Sequence, residues 1–210
     1  METVLILDFG AQYSQLIARR VREQSVYCEV KPCSISPAEI EKIAPIGIIL
    51  SGGPQSVYES VSLRVDPALF ALGIPVLGIC YGCQLMAYSL GGTVAAATEA
   101  TAREYGKTLT EFDTHSAIFQ DLPASSVTWM SHGDYISRVP DGFTVTAKTA
   151  VCPTAAMACP EKRLYGVQFH PEVQHTVEGS EMLRRFLYTV CGASGDWTMA
   201  DYRQTAIRSI

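Results

Sequence analysis

The chain has 210 residues, 48% hydrophobic and 18% charged, which fits one sizeable globular domain or one domain with a tail. A formal net charge of −5 and the lack of any basic run argue against a general binder of nucleic acid or membrane surfaces. No apolar stretch reaches bilayer length, and Met1-Glu2-Thr3-Val4-Leu5 reads as a first strand rather than a signal peptide, so a cytoplasmic location is expected.

In chain order, Val4–Leu7 is a short apolar strand ending at Asp8-Phe9-Gly10. Leu16, Ile17 and Val21 then recur at helical spacing over residues 12–23. Val26–Val30 reads as a second strand. Ser36-Pro37-Ala38-Glu39 opens a helix, with Ser36 as N-cap, Pro37 at the first position and Glu39 three residues after the cap. Ile46–Leu50 is a continuous apolar strand that breaks at Ser51-Gly52-Gly53-Pro54. A short helix over 66–72 precedes the buried strand Pro75–Ile79, and a helix over Tyr81–Leu90 stops at Gly91-Gly92. Residues 93–151 are rich in Thr, Val and turn formers and read as further strands and hairpins, best placed at Val127–Met130 and Phe143–Ala147. Leu164–Phe169 is another strand, and Glu178–Val190 a final amphipathic helix. After Cys191-Gly192 the pattern weakens into a linker or tail. The alternation of apolar strands with helices predicts an α/β fold: a mainly parallel open sheet flanked by helices, with an extra β-rich segment.

The seven cysteines, an odd number spread through the chain, do not form a secreted disulfide framework. The four histidines do not pair with them at zinc-finger spacing, so no metal is assigned.

Gly78-Ile79-Cys80-Tyr81-Gly82 lies between a buried strand and a helix, the context of a G-x-nucleophile-x-G elbow. The flanking glycines leave room for a strained turn that aims the Cys80 side chain out from the carboxyl end of the sheet. Backbone N–H groups at the start of the helix favour thiolate over thiol, from a reference pKa of about 8.5. Two other readings stand beside this one: a buried structural cysteine, and a thioredoxin-like redox pair in Cys80-Tyr81-Gly82-Cys83. Gly166-Val167-Gln168-Phe169-His170-Pro171-Glu172 supplies a base at a strand end and a carboxylate two residues on, which point to the same side in extended backbone. An imidazole there can take a thiol proton and later protonate a leaving amine, while the carboxylate holds its tautomer. Metal ligation by His170 and Glu172 is the competing reading. Gly52-Gly53 can aim a backbone N–H into a cleft, as an oxyanion hole requires, and Ser131-His132-Gly133-Asp134 can supply backbone groups and a carboxylate to an amino-acid substrate. Each is also readable as a plain turn.

Together these segments resemble the class I (triad) glutamine amidotransferases. Within that class, Leu7–Ile17, Leu50–Pro54 with Tyr58-Glu59, Arg103–Gly106, Trp129–Asp134, Tyr165–Val173 and Cys191–Thr198 resemble the glutaminase domains of two-domain GMP synthases. The resemblance implies a flavodoxin-like fold in which Cys80 forms a γ-glutamyl thioester, His170 shuttles protons and Glu172 orients His170. It implies oxyanion donors at the backbone N–H groups of Gly53 and Tyr81, and glutamine binding by Gln84, Ser131, Gly133 and Asp134. It further implies residues 1–190 as the amidotransferase domain and 191–210 as the start of a linker to an absent ATP pyrophosphatase (synthetase) domain. No cofactor is expected in this domain. ATP and magnesium belong to the synthetase, which would use the ammonia to convert adenylated XMP to GMP. A different triad glutaminase or γ-glutamyl hydrolase, or a catalytically silent regulatory domain, are the alternatives. Position 83 departs from the family pattern, and an oxidant joining Cys80 to Cys83 is one expectation drawn from it.

Overall fold

The computed structural model describes residues 1–98 and 103–208. Its strands are β1 (Thr3–Asp8), β2 (Tyr27–Pro32), β3 (Gly47–Leu50), β4 (Val76–Ile79), β5 (Thr93–Ala96), β6 (Glu104–Phe112), β7 (Ser125–His132), β8 (Asp134–Arg138), β9 (Thr144–Lys148), β10 (Ala156–Cys159) and β11 (Leu164–Val167). The helices are α1 (Ser14–Glu23), α2 (Pro37–Ile43), α3 (Tyr81–Ser89), α4 (Gly179–Arg185) and α5 (Met199–Arg208).

Nine strands form one sheet in the order β2-β1-β3-β4-β11-β10-β9-β6-β7, and β5 pairs with β8 in a separate ribbon. The first five strands pair in parallel. From β11 onward every pairing is antiparallel. The sheet is therefore mixed rather than mainly parallel. The expected β-rich segment does not stand apart: most of it extends the sheet. The antiparallel half also curls back on the parallel half, because His170 N–H donates to the carbonyl of Trp129 on β7 (3.0 Å).

The parallel half is buried on both faces, which explains its continuous apolar strands. β3, β4 and β11 are buried at every residue. Alternate residues of β1 enter opposite layers. Val4 and Ile6 pack with Ile17, Val21 and Leu183, while Leu5 and Leu7 pack with Ile40, Leu85 and Met86. Each fully buried Leu or Ile contributes about 2 kcal/mol. The start of α2 carries the expected capping box: Ser36 Oγ accepts from Glu39 N–H, and the Glu39 carboxylate accepts from Ser36 N–H (2.9 Å).

Three elements differ from the sequence reading. The helix expected over 66–72 is a single 3-10 turn, Pro67–Ala71, capped by Asp66. The final helix ends at Arg185 and continues as a π-turn over Phe186–Val190. The tail is not featureless. The Trp197 N–H donates to Ser25 (3.3 Å), and α5 lays Tyr202 on Tyr27 with ring centroids 5.6 Å apart. No described helix is long and apolar enough to cross a membrane.

Candidate active site

The site lies at the carboxyl ends of β3, β4 and β11. Cys80 follows β4 directly and adopts φ +52°, ψ −107°, a strained conformation for a residue with a Cβ that costs roughly 1–3 kcal/mol. The surroundings enforce it. Cys80 N–H donates to the Val167 carbonyl (2.8 Å), and its own carbonyl accepts from Gln84 N–H (3.1 Å). The two glycines of the elbow are packing requirements. A Cβ on Gly82 would lie 2.6 Å from the Leu50 carbonyl oxygen, and one on Gly78 would lie 2.7 Å from the Gly82 backbone. Their bareness lets α3 rest directly on β3 and β4, which sets the height of the sulfur above the sheet.

β11 stops at Val167, three residues short of His170, so His170 and Glu172 sit in a turn and not at the end of an extended strand. The turn at Pro171 still brings them together: His170 Nδ1 and Glu172 Oε1 are 2.7 Å apart and buried. The ring stands beside Cys80 across Gly52: a Cβ on Gly52 would lie 3.2 Å from His170 Cε1 and 3.7 Å from Cys80 Cβ. Burial by itself lowers the pKa of His170. The hydrogen bonds to Cys80 and Glu172, and their negative charges, outweigh it and hold the value up to about 10. That direction favours the protonated ring, which then has a proton to give. Glu172 Oε2 is buried with no hydrogen-bond partner among the described residues. Arg20 Nε donates to the Glu172 carbonyl (2.9 Å) and the Thr176 hydroxyl to the His170 carbonyl (2.6 Å), so both backbone units are held.

In front of the sulfur opens a cavity of about 380 Å³. Seven of the nine site residues expected from sequence line it: Cys80, Gly53, Tyr81, Gln84, Ser131, Gly133 and Asp134. The other two, His170 and Glu172, stand behind the sulfur. The Tyr81 ring is turned away, packing on Phe9 (5.4 Å between centroids) while its hydroxyl donates to Leu63 (2.6 Å). The Tyr81 backbone N–H stands at the first position of α3, where N–H groups lack helical acceptors. Gln84 donates from Nε2 to the Asp134 carbonyl (3.0 Å) and to Gln168 Oε1 (3.1 Å), so it braces the cavity wall as well as facing the cavity. Gly52, rather than Gly53, makes space for the base: a Cβ there would lie 3.2 Å from His170 Cε1.

Sequence reasoning passed over several contributors. Gln168 Nε2 donates to Cys80 Sγ (3.5 Å), and its signal was a polar residue inside an otherwise apolar buried run. Tyr13 sets its ring edge-on to His170 at 5.7 Å. Cys83, expected as an oxidation partner of Cys80, is a core residue turned toward Gly166 of β11. Burial first, then the charges of Cys80 and Cys152, push its thiol well above the ordinary range. That favours the packing role over the redox one.

A second grouping of the same residue types lies alongside the cavity wall. Ligand atoms of Glu104, His132 and Cys152 all lie within 4.8 Å of one another. Spacing along the chain concealed it, because β6, β7 and the 149–152 turn assemble it from afar. It does not fit a metal centre. The Cys152 thiol already donates to the Thr154 carbonyl (3.4 Å), and burial, followed by the charge of Glu104, pushes it up to about 12. Both ring nitrogens of His132 are already engaged, Nδ1 with the Asp134 carbonyl (2.9 Å) and Nε2 with Glu104 Oε2 (3.0 Å).

The chain is 52% identical over 209 residues to the GMP synthase [glutamine-hydrolyzing] of Clostridium botulinum (strain Alaska E43 / Type E3) and 54% identical to that of Alkaliphilus metalliredigens (strain QYMF). In both cases the whole chain is covered but only 40% of the relative, so the chain spans well under half the length of the curated relatives it matches. The crystal structure of a GMP synthase component from Thermoplasma acidophilum superposes with a TM-score of 0.78 at 30% identity, covering 98% of each chain. A glutamine amidotransferase structure from Thermotoga maritima shares the fold, with a TM-score of 0.75 at 19% identity over 91% of this chain and 99% of the other. The family profile Glutamine amidotransferase class-I matches residues 5–190, and the chain belongs to that family.

Proposed function

We propose that this chain hydrolyses glutamine to glutamate and ammonia and that the ammonia serves a synthetase domain converting XMP to GMP. The observation that carries the reading is the strained Cys80 at a polar cavity, with a buried His170–Glu172 pair hydrogen-bonded behind it. The Cys80 sulfur attacks the side-chain amide carbon, and the carbonyl electrons move onto oxygen. Backbone N–H groups of Gly53 and Tyr81 stabilise that oxyanion, each worth roughly 3 kcal/mol in the transition state. As the C–N bond breaks, the His170 imidazolium protonates the nitrogen and ammonia departs, leaving a γ-glutamyl thioester. His170 then takes a proton from water as it attacks the thioester, and the C–S bond breaks to release glutamate. Glu172 holds the imidazole in one orientation throughout. Ser131, Gly133, Asp134 and Gln84 form the wall that holds the amino-acid end of the substrate.

These steps use no cofactor within this domain; ATP and magnesium belong to the synthetase reaction. The partnership is supported by the relatives, in which the matching segment is 40% of a longer protein named as a synthase. Tyr105, exposed on the lining of the cavity, suits an interface there. A cytoplasmic location is consistent with seven unpaired cysteines.

The test is ammonia release from glutamine by the purified chain, with a glutamine chloroketone used to map the reactive residue. Turnover abolished by Cys80→Ala and label confined to Cys80 are the expected results. Undiminished turnover in Cys80→Ala overturns the reading. Ammonia delivery is checked separately, by GMP formation from XMP, ATP and glutamine when the chain is mixed with the synthetase domain.

A further inference from the structure

The buried polar group of Glu104 and His132 has no part in the chemistry just described, yet it touches the wall of the cavity. His132 ends β7 and Asp134 begins β8, with only Gly133 between them. Such a glycine-tipped turn has little stiffness of its own. Its geometry comes from outside. The Asp134 carbonyl accepts from Gln84 Nε2 (3.0 Å) on one side and from His132 Nδ1 (2.9 Å) on the other. The Gly133 carbonyl accepts from Ala97 N–H (3.0 Å). On the same turn, the Ser131 carbonyl lies 3.6 Å from Cys80 Sγ.

His132 can hold Asp134 only if its ring is itself held, and Glu104 does this. A carbonyl only accepts, so Nδ1 carries a proton. Nε2 faces a carboxylate oxygen, so one more proton is shared between Nε2 and Glu104. The other carboxylate oxygen, Oε1, accepts from the Thr149 hydroxyl (2.5 Å), and Thr149 Oγ1 accepts from Cys152 N–H (2.9 Å). A continuous chain of hydrogen bonds thus runs from the 149–152 turn through Glu104 and His132 to the backbone of Asp134. Both side chains of the pair are buried, so solvent cannot replace a missing link.

Building on the glutaminase reading, we propose that Glu104 and His132 are positioning residues that fix the Ser131–Asp134 turn so that the Asp134 carboxylate meets the α-ammonium of glutamine. They act on substrate capture; Ser131, whose carbonyl meets the sulfur, is held by the β6–β7 ladder opposite Tyr105, so the reactivity of the sulfur is left alone.

The experiment separates these two quantities on the chain as it stands. The KM for glutamine and the half-saturating concentration of a glutamine chloroketone report capture. The alkylation rate of Cys80 by iodoacetamide, which has no α-ammonium, reports the sulfur. Glu104→Ala should raise both capture constants about tenfold and leave the iodoacetamide rate within about twofold. Glu104→Gln should return both constants to within about threefold of wild type, because an amide can donate to Nε2 and accept from Thr149. If Glu104→Ala does not fold, His132→Gln gives the same answer: it keeps a donor toward Glu104, drops the bond to Asp134, and should raise the capture constants alike. Unchanged capture constants in the folded alanine or His132→Gln variant overturn the proposal. So does a parallel loss of iodoacetamide reactivity, or a Glu104→Gln variant as impaired as the alanine. Wild-type protein that neither hydrolyses glutamine nor is saturably labelled sinks the glutaminase reading and this proposal with it, a result visible before any variant is made.

Discussion

Two clusters in this molecule contain one cysteine, one histidine and one glutamate. Cys80, His170 and Glu172 are 6%, 5% and 1% exposed; Cys152, His132 and Glu104 are 1%, 4% and 7% exposed. Neither composition nor burial separates them. Backbone and occupancy do. Cys80 is forced to positive φ at the edge of a cavity, whereas the Cys152 thiol donates to the Thr154 carbonyl (3.4 Å) and burial keeps it protonated. His170 gives one nitrogen to Glu172 and has the other beside the sulfur, while His132 has both committed to acceptors other than a cysteine. Only the first cluster has a turn that presents its thiol at a cavity and an imidazole nitrogen not committed to another acceptor.

The comparison can be broken most sharply at the cysteines. Cys80→Ala should lower glutamine turnover at least about 10⁴-fold, whereas Cys152→Ala should stay within about threefold of wild type and cost only about 1 kcal/mol in a urea melt. Comparable losses at both positions would erase the distinction. The glutamates come next. Glu172→Gln should reduce kcat about 10²- to 10⁴-fold by freeing the wrong tautomer of His170, in contrast to the near-neutral Glu104→Gln. A smaller effect is expected at Gly52→Ala, where the new Cβ presses on His170 Cε1 at 3.2 Å. The ring must shift by a few tenths of an ångström, and kcat should fall about tenfold with KM little changed. An unaltered kcat would mean that the ring has slack.

The gentlest test is pH. His170 titrates at about 10 when folded, above its ordinary 6.5, so the folded state binds the extra proton between those values. Its stabilising contribution is complete below about pH 6.5 and disappears as pH rises through about 10. Urea melts of wild type and His170→Gln should show the wild-type advantage shrinking across that window. An advantage that grows with pH would contradict the hydrogen-bonded imidazolium.

The first cluster was legible because its constraints are local. Steric contact between α3 and β3 imposes the two elbow glycines, and Pro171 keeps a base and a carboxylate within reach of each other. The second cluster depends on register. Glu104 lies opposite His132 across the β6–β7 pairing, and nothing near residue 104 announces that partner. The strand itself was hard to see. β6 buries Glu104, Thr110 and Phe112, and Thr110 meets Thr128 through their hydroxyls at 2.7 Å. Polar residues on the inward face blur the alternation that marks a half-buried strand. The short strands β5, β8 and β10 escaped for a related reason, since segments of four or five residues carry little periodicity. The same holds for α5, whose docking rests on aromatic contacts to Tyr27 rather than on a long apolar stripe.

β11 is hydrogen-bonded in parallel to β4 and antiparallel to β10, so it forms a seam through the sheet. Cys80, Gly52, Gly53 and His170 all follow strands of the parallel half, whereas Ser131 belongs to β7 beyond the seam and Asp134 to the separate β5–β8 ribbon. The cavity is thus walled by two blocks of chain, with Gln84 of α3 reaching across to the Asp134 carbonyl (3.0 Å). The elbow itself is locked, because a Cβ on Gly78 or Gly82 would meet backbone at 2.7 or 2.6 Å.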